Sequence, residues 1–140
     1  MALEEALDLP LRQIIPLIQH RIMSDSTYFG IKTWKSPGFL DLLGNSIRTQ
    51  ASVIVEIGNH HGGSTLPLAH TCDCLQRGRM IGLDLSHEHI GSLVSPHRRI
   101  TLIEGDACAS FSRVASLFAP EDHVLVIEGS SHVREHCALH

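Results

Sequence analysis

The strongest constraint on the fold is a rhythm in the second half of the chain. Short apolar runs at 52–57 (SVIVEI), 79–83 (RMIGL), 99–104 (RITLIE) and 123–128 (HVLVIE) alternate with helix-patterned segments at 64–76, 87–94 and 109–118. A further helix begins over 131–139. SVIVEI, RMIGL and HVLVIE are nearly continuous in apolar residues, as strands covered on both faces are. Strands joined through helices of this length run parallel, with right-handed crossovers. The expected fold is therefore α/β, a three-layer sandwich around a mostly parallel sheet of order 3-2-1-4. That order leaves the fourth strand at an edge, and an apolar edge invites another chain to pair with it. Doubly wound sheets usually carry more strands, and the chain stops at His140 just inside a helix. The expectation is a fragment, a truncated product or part of an oligomer.

Upstream, Leu3, Leu7, Leu11, Ile14, Ile18 and Ile22 recur at helical spacing. Pro10 and Pro16 interrupt them, so two short helices or one kinked helix are expected in an N-terminal helical segment, residues 1–26. A loop over 24–37 holds Tyr28, Gly30, Trp34 and Lys35, and 38–48 reads as another helix. Residues 27–140 form the remaining domain.

Composition excludes several classes. The 140 residues are 43% hydrophobic and 19% charged, a globular profile large enough for one core. Net charge is −4 and no basic stripe occurs, which argues against nucleic acid. No stretch reaches the roughly 18 apolar residues of a membrane span, and no basic-then-apolar leader opens the chain. The four cysteines lack the density of a disulfide scaffold, and Cys72-Asp73-Cys74 lacks zinc-knuckle spacing. Reduced thiols in a cytoplasmic protein are expected. The Arg98-Arg99 pair reads as solvated.

Ligands of such sheets bind beyond the carboxyl ends of the strands. Glu56, Asp84, Asp106 and Glu128 stand at four successive ends, which favours a site over coincidence. After the first strand comes the glycine-rich turn in VEIGNHHGGST, residues 55–65. Its spacing mimics a phosphate loop, but Ser64 occupies the lysine position that would meet a triphosphate. His60 stands where a dinucleotide fingerprint needs its second glycine. A cationic ligand without phosphate fits better. S-adenosylmethionine carries an ammonium, a sulfonium and a ribose diol, all suited to acidic partners. Asp84 is placed for both ribose hydroxyls, and Asp106 for the adenine amine or a metal. His60 and His61 point differently as neighbours in sequence, so they are not expected to chelate one ion.

VEIGNHHGGST, IGLDLS, ITLIEGDA and VLVIEGSSH, in this order and spacing, resemble the class I S-adenosylmethionine-dependent methyltransferases. More narrowly they resemble the cephalosporin hydroxylase/rhamnosyl O-methyltransferase family, as does YFGIKTWKSP before the first strand. The resemblance implies a Rossmann-like fold and O-methylation of a sugar or other small molecule, often with a divalent cation such as Mg²⁺. It implies that Glu56, Gly58, Gly62, Gly63, Ser64 and Asp84 carry the cofactor. Asp106, Glu128 and the residue after Glu128 match metal-ligand positions. That residue is Gly129, where the family has aspartate. Asp106 and Glu128 alone make a weak site for a hard cation.

Methyl transfer also requires removal of the acceptor's proton. His132, after the fourth strand, is the candidate base, against a local helix-start role. His136 lies one helical turn beyond it and could share a metal only with a third ligand. Two functions remain open: a metal-assisted O-methyltransferase acting on a small-molecule acceptor, or a non-catalytic or incomplete cofactor-binding domain within an oligomer. A nucleotide binder of phosphate-loop type is a distant third.

Overall fold

Strand β3 (Val53–Ile57) organises the molecule, because all five of its residues are buried. Val53, Val55 and Ile57 turn to one core and Ile54 to another, as the two-residue period of a strand dictates. The computed structural model describes residues 3–21, 27–32, 44 and 48–128. Around β3 lie β4 (Arg79–Asp84), β5 (Ile100–Glu104) and β6 (Val124–Glu128), all parallel, in the order β5-β4-β3-β6. This is the expected 3-2-1-4 order.

Helix α1 (Leu3–His20) and helix α2 (Thr65–Leu75) belong to one layer. Ile14 and Ile18 of α1 share a core with Leu66, Leu68, Ala69, Cys72, Ile54 and Met80. On the opposite face, α3 (Ala107–Ala115) brings Val114 and Phe111 onto Val53, Val55, Ile81, Leu83 and Ile103. Each fully buried aliphatic side chain contributes roughly 1.5–3 kcal/mol, so the two clusters together hold the layers.

Several expectations are resolved or corrected. Of the two forms expected for the N-terminal segment, the structure has the single helix, running through Pro10 and Pro16. Each interior proline forfeits an i→i−4 hydrogen bond, a cost that the packing of Ile14 and Ile18 in the core shared with α2 helps to offset. Within the expected 24–37 loop, β1 (Thr27–Tyr28) and β2 (Ile31–Lys32) form a tight antiparallel hairpin. Its turn residues, Phe29 and Gly30, both have positive φ (50° and 80°), which matches the right-handed twist of paired strands. The helix expected at 87–94 is absent; those residues form turns. Gly91 donates its N–H to His61 O at 2.9 Å, outside the segment, and a Cβ on Gly91 would lie 2.5 Å from Ile31 Cδ1. Docking the segment on the glycine loop thus replaces helical bonding.

Strand β6 departs from its apolar pattern. It was expected to be covered on both faces, yet its residues alternate between exposed and half-buried, and Val126 is 47% exposed. Among the described strands it pairs with β3 alone. Cys72 and Cys74 are free thiols as expected, whereas Cys108 is disulfide-bonded. Arg99 is not solvated: its Nε donates to Asp73 Oδ1 at 2.6 Å and its Nη1 to Gly78 O at 2.7 Å. Arg98 remains exposed. Gly44 and Arg48 are helical, but the rest of the expected 38–48 helix lies outside the described residues, as do Trp34, Lys35, the 131–139 helix, Gly129, His132 and His136. No described helix is long and apolar enough to cross a membrane.

Candidate functional site

The carboxyl ends of β3 and β4 meet at the glycine loop. Gly58 has φ 86° and donates its N–H to Leu83 O at 2.8 Å, which bends the chain off β3 toward β4. Gly62 has φ 89°, and a Cβ there would lie 2.6 Å from Val94 Cγ2. Glycine is required at both, for conformation at Gly58 and for conformation and close approach at Gly62. Gly63 continues the turn, and α2 starts after Ser64.

Glu56 faces the same side of the sheet as Ile54, under the start of α2. It is 1% exposed. Its carboxylate accepts the hydroxyls of Ser64 and Thr65 and the Asn59 amide, the last at 2.8 Å. Ser64 therefore holds the N-cap position of α2 without a capping bond, its hydroxyl being engaged by Glu56. Burial pushes the Glu56 carboxyl above its ordinary range, although the three donors and His60 oppose the shift. Both residues were read from sequence as cofactor contacts; here their side chains bond each other and shape the loop.

Asp84, at the end of β4, is half-exposed. Its Oδ2 accepts the N–H groups of Asn59 (2.9 Å) and His60 (3.1 Å), and its Oδ1 that of Leu85 (2.7 Å). A carboxylate has about four lone-pair sites, so it retains acceptor capacity. Asp84 lines a shallow cavity of about 240 Å³ with His60, His61, Leu85, Ser86, Glu88 and His89. His60 and His61 are both exposed, and His61 Nδ1 lies 3.1 Å from His89 O.

Asp106 is the N-cap of α3. Its Oδ1 accepts the N–H groups of Cys108 (2.9 Å) and Ala109 (3.0 Å), the ordinary work of an aspartate at this position. Glu128 ends β6, in register with Ile57.

Sequence reasoning passed over Asn59 and His87. Asn59 is 3% exposed and lies on Gly82, where a Cβ would come within 2.7 Å of its amide. Its carbonyl accepts Gly62 N–H at 2.8 Å, and its Oδ1 lies 2.8 Å from His87 Nε2. The available signal was small: an asparagine in a glycine turn, facing a glycine in the middle of the neighbouring strand.

Among the described residues, His70, Asp73 and His97 form the group of three with metal-ligand chemistry. They sit by the amino ends of β4 and β5, away from the loop. Tyr28 Oη lies 2.5 Å from His70 Nδ1, and His97 Nδ1 accepts Arg99 N–H at 3.1 Å. That leaves the His97 proton on Nε2, which donates to Asp73 Oδ2 at 3.1 Å. Burial raises the Asp73 carboxyl, but Arg99 and His97 outweigh it and hold it below its ordinary value. Burial and then His97 lower the His70 imidazole. With its oxygens committed to Arg99 and His97, Asp73 ties α2 to the approach to β5, and the arrangement is a hydrogen-bonded clamp.

A family model described as rhamnosyl O-methyltransferase/CmcI matches residues 20–139. No curated protein matches the chain. A solved CmcI structure with Mg and SAM gives a TM-score of 0.60 at 19% identity, covering 81% of this chain and 51% of that one. A CmcI structure with SAH gives 0.57 at 18%, covering 81% and 58%. A crystal structure described as a caffeoyl-CoA O-methyltransferase from Staphylococcus aureus gives 0.51 at 19%, covering 76% and 55%. The chain thus spans about half the length of these solved proteins, and at such identities they establish its Rossmann-like α/β fold. With the family match running over most of its length, the chain belongs to the rhamnosyl O-methyltransferase/CmcI family of class I S-adenosylmethionine-dependent methyltransferases.

Proposed function

We propose that this chain binds S-adenosylmethionine as part of an O-methyltransferase acting on a hydroxyl of a small molecule or sugar. The observation that carries the reading is Asp84, a strand-end carboxylate anchored to the glycine loop and lining the adjoining cavity. When bound, the cofactor supplies an electrophilic methyl group on a sulfonium. Asp84 accepts the ribose hydroxyls with its remaining lone pairs. Gly58, Gly62 and Gly63 let the methionine portion approach the backbone. Glu56 and Ser64 act beneath, holding the loop against α2. His132 takes the acceptor's proton as general base.

A bound Mg²⁺ would be expected to polarise the acceptor oxygen, but it takes about six oxygen ligands. Asp106 caps α3, and Gly129 stands where the family has aspartate. Asp106 and Glu128 do not make such a site by themselves, and no step is derived through the ion. Gly129 is also what favours the second reading, a cofactor-binding domain without catalysis, assembled through the β6 edge.

Calorimetric titration with S-adenosylmethionine, with and without Mg²⁺, followed by methyl-transfer assays on sugars and phenols, tests these readings. Binding is expected, and Asp84→Ala should weaken it about tenfold or more, near 1.4 kcal/mol. Turnover on any acceptor supports the enzyme. Binding without turnover supports the second reading, and no binding contradicts both.

A further inference from the structure

His87 is buried, with its side chain 6% exposed, yet it touches none of the cavity named above. Its main-chain N–H donates to Glu104 Oε1 at 2.9 Å, which fixes the backbone beyond β4 to the end of β5. Its Nε2 meets Asn59 Oδ1 at 2.8 Å. The direction of that bond is set by Glu56. Asn59 Nδ2 gives its proton to the Glu56 carboxylate, so Oδ1 is the acceptor and His87 Nε2 carries the hydrogen. Nδ1 then holds a lone pair; it is buried and makes no hydrogen bond, with Glu104 Oε1 3.9 Å away, beyond hydrogen-bond range. A buried acceptor left unpaired is unfavourable, so packing alone does not account for a histidine here. What the imidazole supplies is one donor, aimed at Asn59.

Asn59 in turn joins three parts of the loop: its N–H reaches Asp84, its carbonyl the N–H of Gly62, and its amide Glu56. Gly82 leaves just enough room for that amide. The bonds to Asp84 and Gly62 are made by the Asn59 main chain, and those to Glu56 and His87 by its side-chain amide, so a donor that holds the amide anchors the residue from which the main-chain bonds of the loop are made. Resting on the methyl-donor reading above, we propose that His87 is a positioning residue of the cofactor site, holding the glycine loop in its binding shape through Asn59.

The test uses His87→Leu, His87→Gln and His87→Asn in the full chain. Glutamine keeps an N–H near the Nε2 position, asparagine falls short of it, and leucine has none. In calorimetry with S-adenosylmethionine, His87→Leu and His87→Asn should raise Kd about tenfold or more, with His87→Gln within about threefold of the native chain. In any methyl-transfer assay the loss should fall on the KM for S-adenosylmethionine and leave kcat nearly unchanged. Amide hydrogen exchange without ligand should quicken by about tenfold over residues 58–64 in His87→Leu and His87→Asn and not in His87→Gln. If leucine does not fold, the contrast between glutamine and asparagine decides. Equal exchange and equal affinity in those two variants would overturn the proposal. A native chain that binds no S-adenosylmethionine would contradict the methyl-donor reading, and the exchange contrast would still decide the role of His87.

Discussion

Glu56 shows how a residue can be conspicuous for one reason and matter for another. In sequence it is an acid at a strand end, a natural partner for a cationic ligand. In the structure the strand's alternation turns it inward, where Ser64, Thr65 and Asn59 occupy its oxygens. Its folded-state pKa is raised by burial above the ordinary 4.5. For an acid shifted this way the folded state favours the proton. Its contribution to stability is present below 4.5 and is lost as pH rises through the folded value. Glu56→Gln removes the titration. The melting temperature of the native chain should therefore fall relative to that of the variant as pH rises above 4.5, and parallel curves would contradict this assignment. The position of Glu56 was legible from the sequence; the direction of its side chain was not, because that depends on where Ser64 and Thr65 return to the sheet.

At the scale of elements, the same distinction separates what could be read from what could not. The buried runs SVIVEI and RMIGL announced β3 and β4, because a strand covered on both faces needs apolar residues at every position. The turns at 87–94 could not be read, since Gly91 gives its N–H to His61 across the molecule rather than to its own segment. The hairpin at Phe29 and Gly30 was hidden by its brevity, two residues a strand. Asp106 was read as a cofactor or metal contact, and its capping of α3 predicts a different signature. Asp106→Ala should cost about 1 kcal/mol in chemical denaturation, whereas Asp106→Asn, an equally good cap, should retain most of that stability. Equal losses in both would show that the charge, not the cap, is what the protein needs there.

For the whole molecule, the parallel sheet places the glycine loop and its adjoining cavity at the carboxyl ends of the strands and the Asp73 clamp at the other end. Arg99, Asp73 and His97 tie α2 to the approach to β5, far from the glycine loop. At the start of β6, Asp122 accepts Ser52 Oγ at 2.8 Å and Ala119 N–H at 2.6 Å, holding β6 in register with β3. At the carboxyl ends, His60 and His61 of the glycine loop and the 85–89 turn line one cavity with Asp84, which on the proposed reading receives the methyl donor. The most direct test is amide hydrogen exchange with and without S-adenosylmethionine. Protection should concentrate in residues 58–64 and 85–89, and the start of β6 should not change. Protection confined to other parts of the chain, or none at saturating ligand, would contradict the account.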